Sequence, residues 1–111
     1  IMRWMLRSKI HRATVTETRL DYEGSITIDG GLMDSAGLLP GEKVLVADVN
    51  NGNRFETYAI RGKTGEICIN GAAAHLCSKG DLVIIMGFEL ADRVIETKIV
   101  KVDGNNRPTG N

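Results

Sequence analysis

The sequence predicts a mostly β fold with two short helices, and two observations carry this prediction. Short segments rich in Val, Ile and Thr recur between turn signals such as Asn51-Gly52. No part of the chain shows an apolar period of 3.6 residues that lasts longer than about two helical turns. Several short strands of this kind favour a closed barrel, because closure removes the exposed edges of a sheet.

Eight strands are expected, three before the first helix and five after it. Asn51-Gly52 indicates a hairpin between the fourth and fifth strands, and Lys63-Thr64-Gly65 gives a weaker hairpin signal between the fifth and sixth. The predicted strands span residues 5–10, 13–18, 25–29, 43–48, 54–61, 66–69, 81–87 and 94–102.

Two brief helical segments interrupt the strands. Asp29 is a suitable N-terminal cap for a helix over residues 31–36, and Gly37 is a suitable C-terminal stop. Residues 71–76 form an Ala-rich helical turn. The polar residues 104–111, which include Pro108, are expected to fray.

Composition indicates one ordinary domain of 111 residues, 42% hydrophobic and 25% charged. Fourteen basic and fourteen acidic residues cancel, which removes the broad positive field of a nucleic-acid-binding protein. No apolar run reaches the roughly 18 residues of a membrane span, and the start lacks an apolar signal segment, so the cytoplasm is the expected location. Cys68 and Cys77 lack the spacing of a zinc site or a disulfide scaffold, and are expected to be reduced, packed thiols.

Candidate chemistry lies in four short blocks, although a Gly-Ser pair alone is usually only a turn. The blocks are Lys9-Ile10-His11-Arg12-Ala13, Tyr22-Glu23-Gly24-Ser25, Asn51-Gly52-Asn53-Arg54-Phe55-Glu56-Thr57-Tyr58 and Asn70-Gly71-Ala72-Ala73-Ala74-His75. Together they resemble the aspartate 1-decarboxylase family, in family order and near-family spacing, over residues 5–87. Residues 88–102 look less familiar, and Ala47 stands where many relatives carry an aromatic residue.

This resemblance implies a double-psi β-barrel and a homotetramer with active sites between neighbouring subunits. It also implies cleavage between Gly24 and Ser25, into segments 1–24 and 25–111, and a covalent pyruvoyl cofactor derived from Ser25. The implied reaction converts L-aspartate to β-alanine for pantothenate and coenzyme A synthesis, and no metal is expected. Some relatives need a separate maturation protein for efficient cleavage, and for this chain that question stays open.

Self-cleavage can be followed on the residues themselves. Attack by the Ser25 hydroxyl on the Gly24 carbonyl exchanges an amide for an ester, and β-elimination then leaves a dehydroalanine that hydrolyses to the pyruvoyl group. Gly24 gives the backbone the freedom to distort. The oxyanion of the first step needs a hydrogen-bond donor, and the resemblance gives that role to the Thr57 hydroxyl.

The pyruvoyl ketone would form a Schiff base with an amine substrate and accept the electrons released on decarboxylation, as pyridoxal phosphate does. Arg54 offers a planar fork for a carboxylate and Lys9 a second cation, and the resemblance makes both of them substrate contacts. Tyr58 would be the proton donor, on the strand face opposite Thr57.

The resemblance also implies two supporting residues near the cleaved bond and further residues that contact the substrate. His11 and Tyr22 match family positions near the cleaved bond. The further substrate contacts implied by the resemblance are Thr57, Asn70, Gly71, Ala72 and Ala73.

Two alternatives come from other functional classes. One is a small β-barrel interaction or nucleic-acid-binding module that uses the basic N-terminal segment, although zero net charge and few aromatic residues disfavour it. The other is a hydrolase in which Ser25 acts with His11 or His75, although the chain lacks a G-x-S-x-G sequence.

Overall fold

The computed structural model describes residues 1–110 and consists of eight strands, one α-helix and one 3₁₀ turn. Helix α1 is Gly30–Ala36, and the 3₁₀ turn is Gly71–His75. The strands are β1 Arg3–Thr14, β2 Glu17–Arg19, β3 Ser25–Asp29, β4 Lys43–Asp48, β5 Arg54–Gly62, β6 Ile67–Asn70, β7 Leu82–Ala91 and β8 Lys98–Lys101.

All eight strands form one mixed sheet in the order β2-β6-β3-β5-β4-β7-β1-β8. The pairs β1–β8, β2–β6 and β3–β5 are parallel, and the other neighbouring pairs are antiparallel. Thus β3 lies between β5 and β6, although it precedes both in the chain. Residues of β5 and β6 are therefore the neighbours of Ser25, the first residue of β3.

One buried cluster receives residues from both ends of the sheet, including Val100 of β8 and Ile69 of β6. A flat sheet could not bring its two ends to one core, so the sheet must be rolled. The mostly β prediction is confirmed, and the arrangement is consistent with a barrel. Within residues 1–110, however, no hydrogen-bonded strand pairing joins the edge strands β2 and β8, so the barrel is not closed by hydrogen bonds.

Helix α1 has the predicted ends. Oδ1 of Asp29 accepts hydrogen bonds from the backbone N–H of Gly31 at 2.7 Å and of Leu32 at 3.2 Å, as an N-cap does. Gly37 ends the helix in the left-handed conformation, with φ of 74°. Oδ2 of Asp29 accepts a hydrogen bond from Gly65 at 2.7 Å, so the same carboxylate also ties the helix to the β5–β6 turn.

Two turn predictions have different outcomes. The Asn51-Gly52 hairpin is confirmed, since β4 and β5 pair in antiparallel fashion around it. The hairpin predicted at residues 63–65 is wrong. A turn is present, with Gly65 at φ of 83°, but β3 lies between the two strands that it connects.

Four predicted strands need correction, among them the seventh, which continues past its predicted end at residue 87 to Ala91. The first two predicted strands are in fact one long strand, β1, followed by the three-residue β2, because pairing with β7 continues past a bulge at residues 11–12. Arg12 takes up the extra residue with φ of 63°. The last strand is shorter than the predicted 94–102, since only Lys98–Lys101 pairs with β1.

The prediction that residues 104–111 fray is wrong for residues 104–110, and Asn111 lies outside the described residues. The side chain of Asn106 is buried and makes three hydrogen bonds of 2.7–2.9 Å, two with the backbone of Thr14 and one with the carbonyl of Gly65. Pro108 pairs with Val102 in an isolated bridge. The C-terminal segment is therefore fixed to β1 and to the β5–β6 turn.

Candidate active site

Ser25 begins β3 and is buried, with only 1% of its surface exposed, directly after the exposed Gly24. Its Oγ donates a hydrogen bond to the carbonyl of Glu23 at 3.1 Å and accepts one from Nδ2 of Asn70 at 3.0 Å. Asn70 is the cross-strand partner of Ser25 in the antiparallel pair β3–β6. The strand pairing therefore holds a carboxamide donor on the serine oxygen.

Gly71 lies directly against the backbone of Gly24. A Cβ at position 71 would come within 2.7 Å of the Gly24 Cα and 2.9 Å of the Gly24 nitrogen. Gly71 also has φ of 74°, which L side chains rarely adopt. Only glycine lets the 3₁₀ turn approach the Gly24–Ser25 bond so closely.

Strand β5 runs parallel to β3 on its other side, with Ile26 paired to Ala59. Continuing this register back by one and two residues places Tyr58 level with Ser25 and Thr57 level with Gly24. Alternation along the strand sends the two side chains to opposite faces. Ala59 shares the face of Thr57 and is fully buried, whereas Tyr58 is 40% exposed on the outer face.

Arg54 lies at the start of β5, on the outer face that also carries Tyr58. Its cross-strand partner is Ala47 of β4. Ala47, where the resemblance led us to expect an aromatic residue, is therefore directly opposite Arg54. A methyl group there leaves more space beside the guanidinium than an aromatic ring would.

Lys9 and His11 make no hydrogen bond to the Ser25 hydroxyl in the described chain. Both belong to β1, which is four strands from β3 in the sheet order. Burial lowers the pKa of His11, and the neighbouring cations Lys9, Arg12 and Lys101 lower it further. His11 is therefore favoured in its neutral form near neutral pH.

The remaining predicted residues surround the Gly24–Ser25 bond. The carbonyl of Tyr22 would lie 3.2 Å from a Cβ at Gly71, so the backbone of Tyr22 is part of the site, while its side chain is 52% exposed. Ala72 is exposed, and Ala73 packs against the core. In the described chain the partners of the Ser25 hydroxyl are Glu23 and Asn70, with no histidine among them, which disfavours the serine hydrolase alternative.

Sequence reasoning missed two residues of this site, Thr27 and Cys68. Nδ2 of Asn70 donates a hydrogen bond to Oγ1 of Thr27 at 3.0 Å, and Sγ of Cys68 donates one to Oδ1 of Asn70 at 3.2 Å. The alternation of strands could have identified both, because each is two residues from Ser25 or Asn70. Finding them required the β3–β6 pairing, which the sequence did not predict.

A groove of about 410 Å³ lies on the outer face, away from Ser25. Strands β1, β4, β5 and β7 line it, with Trp4, Lys43, Leu45, Glu56 and Phe88. Trp4 is 70% exposed. The outer face that carries Arg54 and Tyr58 thus also carries uncovered apolar surface.

Two kinds of feature are absent from the described part of the chain. Residues 1–110 contain no helix long and apolar enough to cross a membrane. They also contain no group of three or more His, Cys, Asp or Glu side chains arranged to hold a metal ion. Cys68 and Cys77 are both free and buried, as predicted.

Fold and site together define a small, mostly β protein with a buried serine at the start of an inner strand. The family model for aspartate decarboxylase matches residues 1–109. The chain is 52% identical to an aspartate 1-decarboxylase of Thermoanaerobacter pseudethanolicus, over 97% of both chains. It is 56% identical to one of Neisseria meningitidis, over 96% of this chain and 89% of the relative, and 58% identical to one of Corynebacterium efficiens, over 96% and 83%.

The chain therefore belongs to the aspartate decarboxylase family. The match also corrects the range given to the resemblance above. It continues past residue 87 and includes the residues 88–102 that looked unfamiliar.

Proposed function

We propose that this chain is a proenzyme that cuts itself between Gly24 and Ser25, and that the product removes the 1-carboxyl group of L-aspartate. The products would be β-alanine and CO₂, and the enzyme would serve pantothenate and coenzyme A synthesis in the cytoplasm. The observation that carries the proposal is the buried Ser25 hydroxyl, held by Asn70 next to an exposed glycine. Membership of the aspartate decarboxylase family supports the choice of substrate.

Cleavage needs no oxidant or reductant, since one water molecule balances it. Oγ of Ser25 attacks the Gly24 carbonyl carbon, the C–N bond breaks as the C–O bond forms, and the nitrogen takes the hydroxyl proton. Loss of the Ser25 Cα proton then expels the Gly24 carboxylate and leaves dehydroalanine at position 25. Hydrolysis of the derived imine consumes water and releases ammonia, which leaves segments 1–24 and 25–111.

The residues around Ser25 fit a pyruvoyl group at that position. Asn70 places an N–H donor 3.0 Å from the serine oxygen, and Gly71, which has no Cβ, brings its backbone against Gly24. A pyruvoyl group supplies an electrophilic ketone beside an amide carbonyl, which accepts the electrons released when CO₂ leaves. Asn70 and the backbone at residues 71–73 would hold this group and close the site around the substrate.

Three side chains of this chain would act on the substrate itself. Arg54 would bind a substrate carboxylate through its planar fork, and Lys9 would neutralise the second carboxylate. Oη of Tyr58 would give a proton to the carbon that has lost CO₂. Thr57, on the other face of β5, would donate to the Gly24 oxygen during cleavage and contact the substrate afterwards.

A complete site would need a second copy of the chain, and we propose the homotetramer that the family resemblance implies. Lys9 lies on β1, which is four strands from β3 in the sheet order, and we expect a neighbouring subunit to supply it. The exposed Trp4 and Leu90 are on the outer surface that an assembly would cover.

The test is the intact mass of the denatured protein, measured with and without borohydride reduction in the presence of aspartate. We expect two fragments that divide between Gly24 and Ser25, with the larger one gaining aspartate-derived mass on reduction. The Ser25→Ala variant should give one uncut mass and no β-alanine.

The same experiment decides whether a maturation partner is needed. Cleavage of the purified chain alone would show that none is required. An uncut mass that becomes two fragments only with a cell extract of the source would indicate a partner. A chain that stays uncut in both cases and forms no β-alanine would refute the proposed function.

A further inference from the structure

Four side chains form one hydrogen-bonded group at the junction of β3 and β6. Ser25 is paired with Asn70, and Thr27 is paired with Cys68, in consecutive same-face positions of the antiparallel ladder. Ile26 and Ile69 point the other way, into the core. The group is therefore separate from the apolar interior, yet Ser25, Asn70 and Cys68 are all buried.

The orientation of the Asn70 carboxamide is the feature of this group that matters for chemistry. A carboxamide can turn by 180° and exchange its oxygen for its NH₂ group. With Nδ2 toward Ser25, the serine oxygen accepts an N–H and gives its own proton to the carbonyl of Glu23. One lone pair of Oγ then stays available for the Gly24 carbon.

The reversed orientation would be worse for cleavage. Oδ1 of Asn70 would then face the serine oxygen, compete for its proton and leave it without an N–H donor. A donor on Oγ matters because hydrogen bonding to the charged form of a group favours that form. Negative charge that develops on Oγ as its proton leaves is stabilised only while Nδ2 faces it.

Cys68 distinguishes the two orientations. Its Sγ donates to Oδ1 of Asn70 at 3.2 Å, and the reversed amide would place two N–H donors against a thiol that is a weak acceptor. Burial raises the pKa of Cys68, so the thiol keeps the proton that it donates. Thr27 completes the arrangement, since its Oγ1 accepts the second N–H of Nδ2 at 3.0 Å.

We propose that Cys68 and Thr27 are positioning residues for cleavage, which hold the Asn70 carboxamide with its Nδ2 on the oxygen of Ser25. This inference rests on the proposed self-cleavage. Neither side chain contacts the reacting atoms. Both act through Asn70, so their loss should slow the exchange of amide for ester and not the later steps.

The test compares cleavage rates of four variants by intact mass, starting from freshly purified uncut chain in the full-length protein. Cys68→Ala and Thr27→Val remove the hydrogen bonds, whereas Cys68→Ser replaces the thiol with a hydroxyl donor and Thr27→Ser retains the hydroxyl. We expect the first two to cleave about 3- to 10-fold more slowly, as loss of one neutral hydrogen bond implies. Thr27→Ser should stay within about twofold of the parent chain, because its hydrogen bond is retained. Cys68→Ser should cleave faster than Cys68→Ala, because its hydroxyl can still donate to Oδ1 of Asn70.

A second measurement identifies the slowed step. Hydroxylamine cuts an ester at position 25 but leaves the original amide intact, so it reports how much ester has accumulated. Slow variants should hold no more hydroxylamine-sensitive ester than the parent does. Ester that builds up in Cys68→Ala would mean that elimination is slowed, which overturns the proposal.

Other outcomes separate this inference from the proposed function. Parent-like cleavage of all four variants would refute the positioning role and leave self-cleavage intact. Equal slowing in Cys68→Ala and Cys68→Ser would point to packing and also refute it. If Cys68→Ala fails to fold, as judged by its thermal transition, the Thr27→Val and Thr27→Ser pair decides alone. A parent chain that never cleaves would instead refute the proposed function.

Discussion

Gly71 and Gly24 are in backbone contact so close that a single methyl group on Gly71 would lie 2.7 Å from the Cα of Gly24. The two glycines belong to different motifs, separated by more than forty residues in the sequence. Their contact joins the end of β6 to the proposed cleavage bond. The approach places the 3₁₀ turn where it can restrain the backbone that must distort during cleavage.

Gly71→Ala should slow cleavage about 10- to 100-fold, because the added methyl group displaces the Gly24 backbone from its position beside Ser25. The rate is measured by intact mass over time. Gly52→Ala is the matched control, since Gly52 has a similar φ of 78° but no atom within 4 Å of a built Cβ. It should carry the same backbone strain, about 1–3 kcal/mol, and cleave at the parent rate. Equal slowing in both variants would contradict the steric explanation.

Substitutions of Thr57 and Tyr58 should affect different steps, cleavage for Thr57 and turnover for Tyr58, because adjacent residues of β5 face opposite sides of the sheet. Thr57→Val should slow cleavage about 100- to 1,000-fold through loss of an oxyanion donor. Tyr58→Phe should cleave normally and lose about 100-fold or more in kcat. Cleavage is followed by mass and turnover by β-alanine formation, with rates given per cleaved chain. Tyr58→Phe that fails to cleave would refute this division of roles.

The sequence predicted local features of the fold and missed those that depend on pairing between distant strands. The cap at Asp29, the stop at Gly37 and the hairpin at Asn51-Gly52 each depend on a few adjacent residues, and all three are confirmed. The turn at residues 63–65 was misread as a hairpin because nothing local reveals that β3 inserts between its two strands.

At the candidate site too, local features were predicted and long-range contacts were missed. Local motifs pointed to Ser25, Tyr58 and Asn70, but the contacts of Thr27 and Cys68 depend on the β3–β6 register. The C-terminal segment was judged by its polar composition, which hides the one asparagine that is buried. Polar composition is a poor guide where a side chain finds specific backbone partners.

The Asn106 side chain should contribute to the free energy of unfolding, because it fixes the C-terminal segment to Thr14 and Gly65 with three hydrogen bonds of 2.7–2.9 Å. Asn106→Gly keeps the positive φ of 59° accessible and removes only the side chain. We expect it to lower the free energy of unfolding by about 2–4 kcal/mol, since it leaves three partly buried backbone groups unpaired. Urea unfolding measures this free energy.

Asn105→Ala, at the exposed neighbouring residue, is the control and should change the free energy of unfolding by less than about 0.5 kcal/mol. If Asn106→Gly also lowers the free energy of unfolding by less than about 0.5 kcal/mol, the Asn106 side chain does not fix the segment.

Asp48 and Asp81 form a pair of carboxyl groups beside the β4–β5 hairpin. Asp48 is 2% exposed, its Oδ1 accepts hydrogen bonds from the N–H groups of Asn50 and Asn51, and its Oδ2 is buried without a partner. Burial raises the pKa of Asp48, and the neighbouring Asp81 raises it further. The pKa of Asp81 is lowered, because the neighbouring Asp48 side chain and the N–H of Ser78 favour its ionised form. One proton on Oδ2 of Asp48 would thus give that atom its missing partner.

The direction of these shifts fixes how stability depends on pH. A folded-state pKa above the unfolded value means that the folded chain binds more protons, so the contribution of Asp48 is present at low pH and is lost as pH rises through its folded pKa. Asp81 behaves in the opposite way, and its contribution is lost as pH falls below about 4. Above its folded pKa the ionised Asp48 therefore costs stability, which a neutral group of the same shape should recover.

Asp48→Asn should raise the free energy of unfolding by about 1 kcal/mol at pH 7, because its NH₂ group donates to Asp81 while Oδ1 keeps its two backbone donors. Below about pH 4 the gain should vanish, since the parent Asp48 is then protonated and donates in the same way. Urea unfolding at both pH values measures the difference. Asp92→Asn, at an exposed carboxylate 3.7 Å from Arg93, should change little at either pH. If Asp48→Asn lowers stability at pH 7, or shifts it equally at both pH values, the carboxyl pair does not share a proton, and the buried Oδ2 must be satisfied by another group.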